Sequence, residues 1–227
     1  MSDPIFQAEL MRSLSRLVRG LSALFWGLPI TLLVCVKTAT NEWLKPLGVI
    51  PPIVATSLLF YGLWQLSYFQ KQERVWRHTL DRAKLLAVVN IGLSPFVFWW
   101  NQIPYVPLYS IAVGILMLSS LLFLFNLNRV LQRLTAMLPD ETLRLETKFF
   151  TSLNLYMVLA LIVLVTLYLT LQQIAPLPAL VVDLLRSLEI VKQWILVFLV
   201  LLPLAMTMTL IWKIKEVILA SVFGPNQ

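Results

Sequence analysis

The chain has one cysteine, one histidine and seven glycines in 227 residues. Cys35 has no second thiol to pair with, so no disulfide forms within the chain. One thiol and one imidazole do not supply the ligand set of an ordinary zinc site, and a haem held by two histidines of one chain is excluded. Charge is scarce at 13%, and acidic residues are the scarcer sign, 11 against 18 basic. The most informative absence is that six long apolar runs contain no charged residue: Gly20–Val36, Leu47–Phe69, Leu85–Trp100, Val106–Phe125, Phe149–Leu171 and Gln193–Trp212.

Each run is roughly 16 to 23 residues long, and about 20 helical residues cross the hydrocarbon core of a bilayer. Backbone polar groups inside lipid are satisfied only in helices and closed barrels, and unbroken runs of this length are not barrel strands. The expected fold is all-α: a polytopic membrane protein with six transmembrane helices arranged as three hairpins. Hydrophobic residues make up 59% of the chain, and the six runs with their connections occupy almost all of residues 1–227, which read as a single integral membrane domain. Arg12, Arg16 and Arg19 ahead of the first run resemble the basic region of a signal peptide. The run is longer than a signal core, and Val36–Lys37–Thr38 is a poor cleavage context, so it reads as a retained span.

The basic residues orient the chain. Arg12, Arg16 and Arg19, then Lys71, Arg74, Arg77, Arg82 and Lys84, then Arg129, Arg133, Arg144 and Lys148, and finally Lys213 and Lys215 fall on one side. Only Lys37, Lys45, Arg186 and Lys192 fall on the other. Basic residues in short loops stay cytoplasmic, which predicts a multi-pass protein of the cell membrane, bacterial and inner, with both termini in the cytoplasm. Trp43, Trp99, Trp100 and Trp194 then lie near the outer interface, and Trp76 and Trp212 near the inner one. The net charge of +7, placed beside the spans, points to an anionic membrane surface rather than to nucleic acid.

The cytoplasmic segments are amphipathic. In residues 3–19, Leu10, Leu14 and Leu17 oppose Arg12, Arg16 and Arg19, the pattern of a helix lying on an anionic leaflet. Asp3–Pro4 suits its start. Leu127–Leu138 repeats the pattern, with Leu127, Val130, Leu131 and Leu134 on one side and Asn128, Arg129, Gln132 and Arg133 opposite. Residues 71–84 set Val75, Trp76, Thr79, Leu80 and Ala83 under Lys71, Arg74, Arg77, Arg82 and Lys84. Together these form a basic collar that anchors lipid headgroups or docks a cytoplasmic partner. On the outer side Val181–Val191 is also amphipathic and reads as an interfacial helix, or else as the extension of a long sixth span.

Inside the spans the polar residues are few. Asn90 with Ser94, and Ser152 with Asn154, are the candidates for substrate or helix contact; Thr166, Thr170, Thr207 and Thr209 lie further along. Asn90 and Asn154 both stand about six residues in from the cytoplasmic ends of their spans, roughly 9 Å at 1.5 Å per residue. That depth predicts that the third and fifth spans lie close and share a polar contact. Pro29, Pro95 and Pro203 fall inside spans and predict kinks. Ser110 and Gly114 form the clearest small-residue pair for close helix approach. Each outer connection carries prolines, among them Pro51, Pro52, Pro104, Pro107, Pro176 and Pro178, suited to tight turns.

No phosphate-binding glycine loop, Gly-x-Ser-x-Gly elbow or His-Glu-x-x-His pair occurs. No metal or cofactor is expected. His78 sits among Arg74, Arg77, Asp81 and Arg82 and reads as a solvated side chain. These features favour a non-catalytic integral membrane subunit or scaffold of a larger assembly, working with other membrane subunits or as a homo-oligomer. A pore or transporter for a hydrophobic or lipid-like substrate is the alternative. A lipid-modifying enzyme built around His78 is a third.

Overall fold

The computed structural model describes residues 4–40, 46–70, 73–103, 105–137, 141–173 and 179–223, and side chains outside 4–10, 164–196, 199 and 221–223. The expectations placed on Lys71, Trp43, Trp194, Thr166, Thr170, Pro104, Pro176 and Pro178 fall outside these described residues or side chains. The chain is all-helical there. In order come α1 (Pro4–Thr40), α2 (Ile50–Leu66), α3 (Arg74–Leu93), α4 (Pro95–Gln102), α5 (Pro107–Ala136), α6 (Glu141–Gln173) and α7 (Ala179–Phe223). Met11–Thr40, Arg74–Gln102, Pro107–Ala136 and Glu141–Val163 are long and apolar enough to cross a membrane, and Ile50–Leu66 is a shorter apolar helix.

The outward faces of these helices match that reading. Trp26, Leu33, Val54, Leu108, Ile111, Met117 and Val163 are all more than half exposed. A protein surrounded by water rarely leaves so continuous an apolar surface bare.

Proline places the helix starts. Pro51 lies in the first turn of α2, and Pro107 opens α5, where a missing N–H costs nothing. Gly48 precedes α2 with φ +59°, a backbone state that glycine adopts without strain. Pro95 does more than kink the third span. It splits the span into α3 and α4 at Ser94. Pro95 cannot donate to the Ile91 carbonyl, and the Ser94 hydroxyl donates to that carbonyl instead, at 2.9 Å. The freed acceptor is satisfied locally, as an apolar surrounding requires.

The amphipathic segments are not separate interfacial helices. Residues 4–19 are the first turns of α1, 74–84 the first turns of α3, and 127–136 the last turns of α5. Residues 181–191 likewise belong to α7, so the long-helix alternative describes that segment and the interfacial helix does not. The apolar stripes of the basic segments pack on one another instead of on a leaflet. Leu17, Leu21, Leu24 and Leu28 meet Leu63, Leu66, Trp76, Leu80, Leu127, Leu131, Leu134, Leu143, Ile211, Ile214 and Ile218 in one core. Burying a leucine among neighbours removes about 1.5–3 kcal/mol of exposed apolar surface energy in water, which is why water-exposed helix ends converge. Trp76 is therefore a core residue, 1% exposed, with its indole N–H donating to the Phe69 carbonyl at 3.1 Å, and not an interface anchor. Asn128 also faces inward, against the helical-wheel reading. A smaller cluster of Val97, Val113 and Leu116 lies toward the opposite end.

The α1–α2 pair carries the closest backbone approach. A Cβ on Gly20 would stand 2.8 Å from the Gly62 carbonyl oxygen, and one on Gly62 2.7 Å from Leu24 Cγ. Two glycines facing each other let the antiparallel helices touch, and Thr31 Oγ1 adds a tie to the Ala55 carbonyl at 2.9 Å. The pair expected to do this, Ser110 and Gly114, does not: both are exposed, and nothing approaches Gly114 within 4 Å.

Gly20→Ala is therefore expected to destabilise the fold by about 1–3 kcal/mol, because the obstructing atom is backbone and cannot rotate away. Gly114→Ala should be neutral or slightly stabilising, since an open helical glycine costs roughly 0.5–1 kcal/mol against alanine. Unfolding in mixed micelles by denaturing detergent measures both. Equal stability of the two variants would contradict the close crossing.

Candidate functional site at the basic pole

The ends of α1, α2, α3, α5, α6 and α7 that meet in the large core form one pole of the bundle, and the basic side chains gather there. Arg12, Arg16, Arg19, Arg74, Arg77, Arg82, Arg129 and Arg133 are all exposed. Helical spacing explains the sorting. Leu17 and Leu21 or Trp76, Leu80 and Ala83 turn inward at three- and four-residue steps, which leaves the arginines between them outside. Few acids answer them. Lys84 lies 3.7 Å from Asp81, and Lys213 pairs with Glu146 across α6 and α7. Arg129 rests on the Phe125 ring and Lys215 near the Trp212 ring, so aromatic faces serve where carboxylates do not.

A recess of about 550 Å³ opens between α1 and α2 at this pole. Arg16 and Arg19 line one side; Phe60, Tyr61, Trp64, Gln65 and Tyr68 line the other. The Arg16 guanidinium stands 4.5 Å over the Tyr68 ring. Trp64 Nε1 donates to Tyr68 Oη at 3.1 Å, and Gln65 Nε2 donates to Tyr61 Oη at 2.9 Å. Sequence reasoning misses Tyr61, Trp64 and Tyr68. Their signal is a three- and four-residue spacing of aromatics at the end of the second run, which nothing local links to the arginines of the first. A second, smaller recess at the same pole is lined by Thr142, Glu146, Lys213 and Glu216. Among the described residues no three His, Cys, Asp or Glu side chains converge to hold a metal.

The polar residues inside the spans separate into ties and orphans. Asn128 Nδ2 donates to Thr207 Oγ1 at 2.8 Å, joining α5 to α7, and also reaches the Leu124 carbonyl. Asn101 Nδ2 donates to the Thr38 carbonyl at 3.0 Å, joining α4 to α1. Ser94 is buried, bonded to Ile91, with the Thr56 hydroxyl 3.5 Å away. Ser152 is exposed, so it belongs to no internal site.

Asn90 and Asn154 are buried as expected but are not brought together. α5 packs against both α3 and α6, which make no extensive contact with each other. Asn154 is completely buried, and among the described residues neither end of its amide has a partner. The Oδ1 of Asn90 and the hydroxyl of Ser119 are also unpartnered. α3–α4 runs antiparallel to α5, and Trp100 Nε1 donates to Ser110 Oγ at 3.2 Å. Counting ten residues back from Trp100 and nine on from Ser110 puts Asn90 and Ser119 at nearly the same level of that interface. Depth does match polar groups across helices here, but the helix that faces α3 is α5 rather than α6.

Removing a tie and removing an orphan should have opposite effects. Asn128→Leu is expected to lower stability by about 0.6–1.7 kcal/mol, the range for hydrogen bonds between membrane helices. Asn154→Leu should be neutral or stabilising, because it deletes a buried amide that bonds to nothing. The same detergent titration reads both; a large loss on Asn154→Leu would reveal a partner for that amide.

No protein-family model, curated protein or solved structure matches the chain. Its function has to be argued from its own residues.

Proposed function

We propose that the protein is a non-catalytic integral membrane scaffold, a subunit of a larger inner-membrane assembly. It spans the bilayer six times in three hairpins, with both termini and the basic pole in the cytoplasm. The observation that carries this reading is how the interior is used. At the basic pole it is filled by leucine, isoleucine and tryptophan side chains. The inward polar groups Thr147, Thr151 and Thr207 bond to carbonyls four residues back in their own helices. Asn128 bonds across to Thr207. The bond from Asn128 ties two helices together, and hydroxyls committed to their own helices are not free to handle a substrate. The distribution of arginine and lysine supports the orientation.

A pore or transporter for a lipid-like substrate is the second reading. It is favoured by Asn90, Ser119 and Asn154, whose buried polar atoms lack partners and would face a path in another conformation.

Mild-detergent purification at native expression, followed by mass spectrometry, should recover stoichiometric membrane partners. Recovery of the chain alone, or only as its own oligomer, would overturn the subunit reading. In a Cys35→Ala background, a cysteine at Gln102 should react with an impermeant thiol reagent applied to intact cells and one at Gln70 should not. Reaction at Gln70 would overturn the orientation.

A further inference from the structure

We propose that the recess between α1 and α2 is a defined binding site for the headgroup of one anionic phospholipid, with Arg16 and Arg19 holding its phosphate. The inference rests on the cytoplasmic, membrane-surface placement of the basic pole, and it goes further by assigning one site out of the whole collar.

Geometry singles the recess out. Arg16 and Arg19 are one helical turn apart, so their guanidinium groups project from the same side of α1. No carboxylate among the described residues pairs with either one. Arg16 is held by its stacking on Tyr68, whose hydroxyl is itself fixed by the Trp64 indole. The Lys84 ammonium, answered by Asp81, stands 6.0 Å from the Trp64 ring. A planar guanidinium held in place matches two phosphate oxygens at once, whereas a solvated lysine offers only a point charge. The other arginines of the pole line neither of the two recesses.

The aromatic wall identifies the anion as a lipid. Tyr61 and Trp64 are each nearly half exposed, with polar tips hydrogen-bonded toward the basic pole. Tyrosine and tryptophan favour the level where headgroup meets acyl chain. Phe60 and Tyr61 lie nearer the apolar middle of α2 and carry the recess toward the hydrocarbon. A soluble phosphate would use the arginines and leave that wall idle. A phospholipid uses both, with its phosphate on the arginines and its glycerol and upper acyl carbons along the aromatics. The volume of about 550 Å³ admits a headgroup with its glycerol.

Native mass spectrometry of the intact, detergent-purified protein, titrated with phosphatidylglycerol and with phosphatidylcholine, tests the assignment. One phosphatidylglycerol should bind in preference to phosphatidylcholine. The double variant Arg16→Ala/Arg19→Ala should weaken that binding about tenfold or more, as expected for loss of paired charge-assisted bonds. Arg129→Ala/Arg133→Ala removes the same charge from elsewhere on the pole and should leave it unchanged. Arg16→Lys/Arg19→Lys keeps the charge but loses the planar fork and should fall between. Equal losses in the two alanine pairs would overturn a defined site in favour of a diffuse field. Equal binding of the zwitterionic lipid would overturn an anion site. Displacement by millimolar inorganic phosphate would overturn the lipid as its ligand. Tyr68→Leu gives an independent check should the double arginine variant fail to fold, since it keeps both arginines while removing the ring that holds Arg16 and the acceptor of the Trp64 indole; unchanged phosphatidylglycerol binding would count against the site. Labelling of Gln70 from outside would sink the orientation while leaving the lipid titration standing, so the two failures are distinguishable.

Discussion

The contact between Gly20 and Gly62 is the constraint on which the described structure most depends. Two helices with side chains at their crossing stay some 8–10 Å apart, and only glycine on both lets backbone meet backbone. Beside this close crossing, Leu17, Leu21 and Leu24 pack in the same core as Leu63, Trp76 and Leu127. The crossing also sets Arg16 and Arg19 directly beside Tyr68 and Gln65. One pair of missing side chains thus shapes both the interior of the basic pole and the recess on its surface.

Among the described side chains, residues from six helices converge in one cluster at the basic pole, and a small cluster drawn from α4 and α5, with partly buried support from Ala39 and Leu93, lies toward the other end. Solvent accounts for the convergence at the pole. Hydrocarbon gives no hydrophobic drive for helices to associate, so contacts inside a membrane depend on fit and on single polar bonds such as Asn128 to Thr207. Where helices emerge toward water, the full hydrophobic effect returns and leucines collapse together. The same extension beyond the apolar runs that gives α1, α3 and α5 their arginines also gives them a shared core.

Helix content and the apolar runs are legible directly in the sequence, because a chain without charge over such lengths satisfies its backbone in lipid by coiling on itself. Helix ends are less legible. Nothing local separates a surface-lying amphipathic helix from the continuation of a span, since both show arginine opposite leucine at the same spacing. Only the partners of Leu17 and Trp76, which lie far along the chain, decide between them. Gly20 and Gly62 are hidden for the same reason: a glycine that meets a glycine across two helices has no local pattern, whereas Ser110 and Gly114 have one, and nothing among the described residues packs onto Gly114. Asn90 and Asn154 can be identified as buried but not assigned neighbours, because depth is fixed by counting along one helix and adjacency is fixed by the packing of all of them.

The orphaned amides bear on how rigid such a bundle needs to be. A buried polar group without a partner raises the energy of the state that contains it, by about 1–3 kcal/mol in mutational comparisons. Asn154 and Asn90 lie on α6 and α3, the two helices that flank α5. The ties run elsewhere, from α5 to α7 and from α4 to α1. α5 is tied to α7 by one hydrogen bond, whereas Asn90 on α3 and Asn154 on α6, the helices it packs against most, hold unmet polar capacity. A neighbouring subunit or a shift of one helix that supplied partners to those amides would lower the energy of the state that holds them, whereas the glycine crossing of α1 and α2 leaves no such unmet group among the described residues.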